Sequence, residues 1–367
     1  MNNRTEISTL GEFGLIRHLT ADIKPQNAST LKGIGDDCAV VTTDLCAKSG
    51  EKGVKSGEKD ENLVCTLMTT DLLLEGVHFD LTYVPLKHLG YKAAMVNISD
   101  IYAMNGKPTQ LTVSLGVSKR FSVEDLEQLY QGIKLACKNH GVDIVGGDTT
   151  SSLTGLTISI TCLGQANKDD IVYRSGAKDT DLVCVSGDLG AAYMGLQLLE
   201  REKAVFNQQT GKDAETQAQP DFQGKEYLLE RQLKPEARGD VVSRLREAGI
   251  KPTAMIDISD GLSSELLHIC HESHCGCSIY EDRLPIDYQT SIQAEQFGIS
   301  PVTCALNGGE DYELLFTVAL KDYERVSQLE GIHIIGHIQR EELGALLVTR
   351  DGAEYPLQAQ GWNHLQA

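Results

Sequence analysis

The chain has 367 residues, of which 41% are apolar, and its formal net charge is -19. This length and apolar share are typical of a globular protein with two domains of ordinary size, and the negative charge argues against nucleic-acid binding, which needs a basic surface. Since we find neither a run of about 18 uncharged apolar residues nor a secretory signal, we expect no membrane contact and a cytoplasmic location.

In chain order, the first half alternates between predicted strands and helices. Val64–Met68 is an apolar, strand-like run, and residues 86–105 are rich in helix formers, with Asp100 near the end of that helix. Pro108 ends the helix, and 111–117 alternates as a strand. Ser122, with an acidic residue three positions later, predicts the start of a helix that ends at Gly141. A short buried strand over 142–145 would then deliver Asp148 at the turn that follows it.

The second half is predicted as α/β or α+β, because helical and strand patterns alternate there. After strands over 155–164 and 181–186, we predict helices near 189–202, 226–233, 237–249 and 261–272. Further strands are predicted near 254–258, 277–281, 312–318, 332–338 and 344–349. We place the domain boundary between 165 and 175, which gives domains 1–168 and 169–367. The polar stretches 47–62 and 207–223 are predicted to be disordered insertions that carry no catalytic residues.

The ten cysteines are scattered through apolar stretches, which is typical of reduced, buried thiols. One group of potential zinc ligands stands out: His268, Cys270, His271, His274, Cys275 and Cys277. The chain has no CxxC pair and no matching second half at zinc-site spacing. The pattern therefore favours a helix end with two core-facing cysteines.

Five short acidic segments are spread over most of the chain. They are Gly35-Asp36-Asp37, Thr69-Thr70-Asp71, Gly146-Gly147-Asp148, Asp257-Ile258-Ser259-Asp260-Gly261 and Gly308-Gly309-Glu310-Asp311. Each has an ordinary structural explanation, since Asp next to Gly is common in turns and Asp260 could be a helix N-cap. Together they indicate more, because carboxylates repel one another unless cations lie between them, and Mg²⁺ is held by carboxylates plus substrate phosphates.

Three of these segments carry specific ligand chemistry. Thr69-Thr70-Asp71 ends a predicted strand with hydroxyl, carbonyl and carboxylate oxygens, a ligand set for hard cations. Gly147 precedes Asp148 at a bare backbone turn that a phosphate could approach. Asp257 and Asp260 flank Ser259 at a strand-to-helix junction, where backbone amides favour an anion. The chain has neither a Walker loop nor the motifs of protein kinases, so the pattern predicts phosphoryl transfer through metal-bound phosphates.

At these residues the chain resembles the thiamine-monophosphate kinase family, within the superfamily of aminoimidazole ribonucleotide synthetase. The resemblance runs from Gly11 to His364. The matching segments are GIGDDCAV at 33–40, TTDLLLEGVHF at 69–79, AAMVNISDIYAMNGKP at 93–108, GGDTT at 146–150, RSGAK at 174–178, IDISDGL at 256–262 and NGGEDYELLFTV at 307–318.

The resemblance implies a two-domain α/β (α+β) fold of the aminoimidazole ribonucleotide synthetase type, whose N-terminal sheet domains pair in a homodimer. It implies ATP-dependent phosphorylation of thiamine monophosphate with several Mg²⁺ ions, and it leaves a K⁺ requirement open. Metal-binding positions carried over from the family are Asp37, Thr69, Thr70, Asp71, Asp100, Asp148, Asp257 and Asp260. Nucleotide-contacting positions are Tyr130, Gly147, Asp148, Arg174 and Ser259. Positions facing the thiamine phosphate are His78, Glu310 and Trp362.

We expect direct in-line transfer in which Asp71, Asp148 and Arg174 are catalytic, because metals and a guanidinium neutralise the two anions that must meet. The acceptor phosphate oxygen is already a nucleophile, so His78 would orient the acceptor rather than remove a proton. Trp362, the one tryptophan, could stack on the substrate or fasten the C-terminus to the second domain. The alternatives are another ATP-dependent synthetase of the superfamily and a non-catalytic module that binds metal or nucleotide.

Overall fold

The computed structural model describes residues 9–43, 63–208 and 222–360, and the structural statements below refer to these residues. Trp362 and most of the two polar insertions predicted at 47–62 and 207–223 lie outside them. Two sheets and ten α-helices are present in the described residues, which confirms the predicted α/β (α+β) class.

The first sheet has six strands in the order β1-β2-β3-β6-β4-β5. Their bounds are β1 Thr30–Lys32, β2 Ala39–Val41, β3 Val64–Leu74, β4 Lys107–Val117, β5 Asp143–Ser151 and β6 Thr157–Asn167. Within this sheet only β4 and β5 are parallel neighbours, and the connection between them contains a helix. The helices of this half are α1 Gly11–Thr20, α2 Leu86–Ala103 and α3 Val123–His140.

Helix α2 lies at the centre of the molecule. Every residue from Leu89 to Ser99 is buried, because the helix packs against the first sheet, against α3 and against the second half of the chain. Glycines let α2 and α3 cross closely: a Cβ at Gly90 would lie 2.0 Å from the Leu129 carbonyl oxygen, and one at Gly132 would lie 1.9 Å from that of Lys87. Polar residues on α2 therefore lie between the two halves.

The second sheet has seven strands in the order β13-β12-β9-β11-β7-β10-β8. Their bounds are β7 Leu182–Ser186, β8 Ala254–Asp257, β9 Cys275–Tyr280, β10 Leu314–Val318, β11 Ile332–Arg340, β12 Ala345–Val348 and β13 Glu354–Pro356. The helices of this half are α4 Ala191–Gln208, α5 Glu226–Leu233, α6 Gly239–Glu247, α7 Leu262–Ser273, α8 Tyr288–Gln296, α9 Pro301–Asn307 and α10 Tyr323–Val326. The predicted domain division after residue 168 falls between β6 and β7 and stays a prediction.

Several predicted boundaries are confirmed and two are wrong. Helix α3 begins with the predicted capping box, in which Ser122 and Asp125 bond each other's backbone N–H groups, and it ends at Gly141 with φ 66°. Strand β3 does not end at Thr69-Thr70-Asp71, because its pairing with β6 continues to Leu74. Strand β5 likewise runs past Asp148 to Ser151, since β4 pairs with it throughout.

Helices α1, α8, α9 and α10 were not predicted. No helix in the described ranges is both long enough and apolar enough to cross a bilayer.

Candidate active site

Three carboxylates from separate parts of the chain meet between the two sheets. Asp37 lies in the loop before β2, Asp100 in the last turn of α2, and Asp257 is the last residue of β8. Each offers an oxygen within 4.8 Å of the others. Within the described residues they are the one group of three or more His, Cys, Asp and Glu side chains close enough to share a metal ion. We call these three residues the carboxylate cluster.

Each member of the cluster is oriented by a neighbour. Thr69 Oγ1 donates a 2.5 Å hydrogen bond to Asp100 Oδ2, and Ser99 Oγ donates one of 2.5 Å to Asp257 Oδ2. These bonds leave the second oxygen of each carboxylate for another partner. Asp37 Oδ2 is buried without a hydrogen-bond partner, which costs free energy unless a cation or a ligand satisfies it.

The electrostatics of the cluster favour a cation. Burial, together with the nearby Asp37 charge, raises the pKa of Asp257 to about 7 and that of Asp71 to about 6. Burial and the charges of Asp71 and Asp257 raise the pKa of Asp100 well above its usual value. A divalent cation would remove this repulsion, and an all-oxygen donor set suits a hard ion such as Mg²⁺. The residues present therefore fit the metal that the sequence predicts.

Arg174 links the segment after β6 to the acidic loop at 35–37. Its Nη2 and Nε lie 2.5 and 3.2 Å from Asp37 Oδ1, and its backbone N–H donates to Asp36 Oδ1 at 3.1 Å. Burial alone would lower the pKa of the guanidinium, but Asp37 and Asp36 raise it above its usual value, so Arg174 stays charged. It brings one fixed positive charge to the edge of the cluster.

The loop after β8 is fixed by an acidic residue that the sequence did not single out. Glu265 is 2% exposed, and its Oε1 accepts from the backbone N–H of Asp260 at 2.9 Å and from Ser259 Oγ at 3.4 Å. The predicted N-cap role of Asp260 is wrong, because Gly261 occupies the N-cap of α7 with φ 116°. The signal for Glu265 was present as an acidic residue one turn into this helix.

His78 and Glu310 form a second group of predicted site residues. We call the region between this group and the carboxylate cluster the cleft, and His78 and Glu310 its acceptor end. His78 Nδ1 accepts from the backbone N–H of Leu74 at 3.0 Å, so a neutral ring carries its proton on Nε2. Glu310 Oε1 lies 2.8 Å from Lys92 Nζ, and Oε2 accepts from Gln232 Nε2 at 2.7 Å. Burial alone would raise the pKa of Glu310, but Lys92, Gln232 and the nearby His78 lower it below the usual value. Glu310 is therefore an ionised acceptor beside a histidine.

The acidic segment around Glu310 divides by role. Asp311 accepts from the N–H groups of Gly190 at 2.8 Å and Ala192 at 3.4 Å, at the start of α4. Glu313 pairs with Arg231 at 2.9 Å and with Arg238 at 2.5 Å. The side chains of Asp311 and Glu313 are 0% and 1% exposed, whereas that of Glu310 is 31% exposed. Only Glu310 of the three can meet a ligand.

Asp148 does not join the cluster within one chain. Strand pairing places Leu72, Ser159, Ser114 and Asp148 in one row across the sheet, so Asp148 lies three strands from β3, roughly 14 Å away. It lies within β5 rather than at a turn, and its side chain is exposed, on the same face as Leu72. The residue before Asp148 must be a glycine, because a Cβ at position 147 would lie 1.8 Å from the Val113 carbonyl oxygen.

Two other predicted residues, Thr70 and Tyr130, are also separate from the cluster. Thr70 Oγ1 donates to the Ile160 carbonyl at 3.1 Å, and strand alternation places it on the opposite face from Asp71. Tyr130 packs on α3 against the core of the first half. Trp362 falls beyond the described residues. Thr69, Asp71, Arg174 and Asp257 do meet as the sequence predicts, whereas Asp148, Tyr130 and Thr70 do not join them within one chain.

The histidine and cysteine group at the end of α7 and the start of β9 does not form a metal-sized cluster among the described residues. Cys270 and Cys277 are buried, in line with the predicted helix end with core-facing cysteines. His268 instead packs its ring edge-on to Phe13 of α1, with the centroids 4.5 Å apart. This contact fastens the N-terminal helix to the second half.

The surroundings of His268 keep its ring neutral. Burial, together with the charges of Arg174 and Arg17, lowers its pKa to about 4, while Glu272 opposes the shift and His271 adds to it. A histidine whose pKa is lower in the folded state takes up a proton more readily in the unfolded state. The free energy of unfolding therefore falls as the pH drops from the unfolded pKa toward the folded pKa.

We therefore expect His268→Phe to be less sensitive to acid than the wild type. The phenyl ring keeps the contact with Phe13 but cannot take up a proton. Between pH 7.5 and pH 5, the wild type should lose about 1 kcal/mol more unfolding free energy than the variant, after allowance for partial exposure of the ring. Chemical unfolding at the two pH values measures this, and equal losses in both proteins would contradict the assignment.

Known proteins are similar to this chain over nearly its full length. Residues 35–166 match the family model described as AIR synthase related protein, N-terminal domain. The chain is 32% identical to the thiamine-monophosphate kinase of Bacillus subtilis over 97% of this chain and 100% of that protein. It is 33% identical to that of Aquifex aeolicus over 98% of this chain and 99% of that protein. The solved structure of AaThiL complexed with AMPPCP and TMP matches with a TM-score of 0.78 and 31% identity, covering 99% of this chain and 100% of that one.

Proposed function

The chain belongs to the thiamine-monophosphate kinase family, and from this premise we propose that it transfers the γ-phosphoryl group of ATP directly to thiamine monophosphate. The observation that carries the proposal is the carboxylate cluster, with the unpartnered Asp37 Oδ2 and raised carboxylate pKa values, next to the partly buried Arg174. Acidic side chains of this kind cannot bind ATP phosphates unless cations lie between them. This favours a catalyst of phosphoryl transfer over a passive acidic surface.

We propose that Asp37, Asp71, Asp100 and Asp257 hold Mg²⁺, with the Thr69 hydroxyl orienting Asp100. When bound, the metal ions would neutralise the charge of the ATP phosphates and align them for in-line displacement. Asp260 is proposed as a further ligand, and Ser259 as a nucleotide contact, from the loop that Glu265 fixes. A K⁺ requirement stays an open prediction.

The protein's own groups would position the two anions. Arg174, anchored by Asp36 and Asp37, offers its guanidinium to the phosphates at the cluster end. His78 presents Nε2–H to the acceptor phosphate, because Nδ1 is occupied by the Leu74 amide. A ring that donates in this way orients the acceptor oxygen and does not remove a proton. The acceptor needs no base, since its phosphate oxygen is already nucleophilic at neutral pH.

Glu310 and Trp362 are proposed to contact the thiamine moiety. Glu310 is an ionised carboxylate that can attract the cationic thiazolium ring. The last described residue, Gln360, donates its backbone N–H to Asn307 Oδ1 at 3.0 Å, three residues before Glu310. The described chain is therefore held beside the acceptor loop at Gln360. Trp362 lies beyond the described residues, and its contact with the substrate is proposed from the family resemblance.

We further propose that the protein is a homodimer paired through the first sheet. The helices cover one face of this sheet, and the other face exposes apolar side chains on alternating positions of β3 and on β5: Val64 is 50%, Met68 43%, Leu72 51% and Val145 58% exposed. A second copy of the chain would cover this apolar face. It would also cover Asp148, whose side chain lies on the same face as Leu72, and we propose that pairing brings Gly147 and Asp148 to another subunit's cluster. Tyr130 lies on α3, on the helix-covered face, and its nucleotide role stays a prediction. A solution mass of twice 40.0 kDa is the expected result, and a 40.0 kDa monomer active at all concentrations would overturn the dimer.

The steady-state test is to incubate the protein with Mg²⁺ and ATP, with and without thiamine monophosphate, and to quantify ADP and thiamine diphosphate. We expect ADP release only with the acceptor and in equal amount to thiamine diphosphate. A synthetase of the same superfamily would release ADP without thiamine diphosphate, and a non-catalytic module would bind ATP and release nothing. A cytoplasmic location stays a prediction.

A further inference from the structure

Lys92 is a lysine buried in the middle of helix α2, where it is 7% exposed. Its Nζ lies 2.8 Å from Glu310 Oε1 and donates to the Gln232 carbonyl oxygen at 3.2 Å. Burying an ammonium group is costly unless it is paired and hydrogen-bonded. Lys92 therefore has a specific partner, and that partner is the carboxylate that faces the acceptor end of the cleft.

Glu310 is held in one orientation by contacts to its side chain and to its backbone. Lys92 bonds Oε1 and Gln232 Nε2 bonds Oε2 at 2.7 Å, so both oxygens are engaged on their protein side. The backbone is fixed as well: Glu310 adopts φ 57°, which is rare for a non-glycine residue, and its N–H donates to the Ser259 carbonyl at 2.7 Å. The side chain is nevertheless 31% exposed, so it is not fully enclosed by these contacts and a ligand can reach it.

On a purely structural explanation, the ion pair would only hold the two halves of the chain together. Another contact already does this nearby, because Tyr91, the residue before Lys92, donates its hydroxyl to Glu236 at 2.7–2.8 Å. That contact joins the same helix to the segment between α5 and α6 without reaching the cleft. The Lys92 pair adds something different, namely a fixed carboxylate that remains open to a ligand.

The charge of the pair suits a substrate that carries both signs. Thiamine monophosphate has a cationic thiazolium ring and an anionic phosphate, and both must enter a cleft whose other end is strongly acidic. A lone glutamate would attract the ring and repel the phosphate. The positive charge of Lys92 cancels the negative charge of Glu310, so the pair as a whole does not repel the phosphate. The Glu310 oxygens can still accept from, or attract, the thiazolium ring.

We propose that Lys92 is a positioning residue that sets the direction and charge balance of Glu310 for thiamine monophosphate. The inference rests on the proposed function, since it names a determinant of the same acceptor site. It assigns Lys92 to acceptor binding and gives it no part in binding ATP.

The test is equilibrium binding and steady-state kinetics of Lys92→Met and Lys92→Arg, with Lys87→Met, an exposed lysine on the same helix, as the control. For Lys92→Met we expect Kd and KM for thiamine monophosphate to rise about tenfold or more, the loss of one charge-assisted contact. KM for ATP should stay within about twofold, since the Lys92 side chain bonds Glu310 and the Gln232 carbonyl and none of the residues proposed to contact ATP. Lys92→Arg should recover part of the acceptor affinity, and Lys87→Met should match the wild type.

The double variant Lys92→Met/Glu310→Gln separates positioning from a structural role. It leaves no unpaired buried charge, so it should regain the thermal stability that Lys92→Met loses and keep the weak acceptor binding. The inference would be overturned if the double variant regained both thermal stability and acceptor binding. It would also be overturned if Lys92→Met raised KM for ATP as much as KM for thiamine monophosphate. Wild-type protein that binds thiamine monophosphate without forming product would overturn the kinase proposal alone, whereas no binding of thiamine monophosphate would overturn both.

Discussion

Asp100→Asn should lower turnover by about a thousandfold, because a lost metal ligand removes about 4 kcal/mol of transition-state stabilisation. Asparagine keeps the size of the side chain and can still accept the hydrogen bond from Thr69 Oγ1. It cannot supply the negative charge that holds a divalent cation between Asp37 and Asp257. Steady-state formation of thiamine diphosphate measures the loss, with Asp143→Asn as the control, since Asp143 is exposed at the start of β5, outside the carboxylate cluster.

The same substitution should leave the metal-free protein as stable as the wild type or more stable. The pKa values of Asp71 and Asp257 are raised on folding from 3.8 to about 6 and about 7, so the metal-free protein loses stability as the pH rises through this range. Removing the Asp100 charge relieves the repulsion and should make that loss smaller. Unfolding in EDTA at pH 5 and pH 7.5 measures it. A drop in stability as large as the drop in turnover would make Asp100 a structural residue.

Heterodimers that carry Asp100→Asn in one subunit and Asp148→Asn in the other should regain about half of the wild-type activity. Each variant alone should be nearly inactive, because both copies of the site lack the same residue. If a site combines the carboxylate cluster of one subunit with Asp148 of the other, the mixed dimer has one site with both changes and one site with none. The separation of Asp148 from the cluster within one chain, three strands across the sheet, is the basis for this expectation.

The experiment requires co-expression of the two variants with different affinity tags, so that only mixed dimers are purified. The controls are mixed dimers of wild type with each variant, which should each keep about half of the activity. An inactive Asp100→Asn/Asp148→Asn heterodimer, together with active controls, would show that both residues act in the same subunit. The proposed sharing of Asp148 between subunits would then be wrong.

The sequence predicted elements well where local chemistry determines them. The capping box at Ser122 and the glycine at 141 mark the ends of α3 in both the sequence and the structure. Strand ends were less predictable, because Asp71 and Gly147 disfavour strands locally, and only pairing with β6 and β4 keeps them in strands. Helix α2 lacks a polar face for a similar reason, since it is buried on all sides by partners distant in sequence.

The site was predictable as a set of residue types, and less so as an arrangement. The family resemblance placed Asp37, Asp100 and Asp257 in one metal-binding set, and the structure brings the three together. The acidic segments alone indicated Asp37 and Asp257 and did not include Asp100. Lys92 and Glu265 were missed, since each acts through a partner that only the fold brings close: Lys92 reaches Glu310, and Glu265 reaches the Asp260 amide. No local pattern distinguishes a buried lysine on a helix from an exposed one.

A single-turnover reaction tests direct transfer to thiamine monophosphate most directly. Protein in excess is mixed with ATP labelled at the γ-phosphate, with Mg²⁺ and with thiamine monophosphate, and the reaction is quenched at successive times. We predict that the label passes from ATP to thiamine diphosphate at the rate at which ATP disappears, with none on the protein and none in inorganic phosphate. Label that accumulates first on the protein or in inorganic phosphate, or ATP that binds and stays intact, would contradict the proposed reaction.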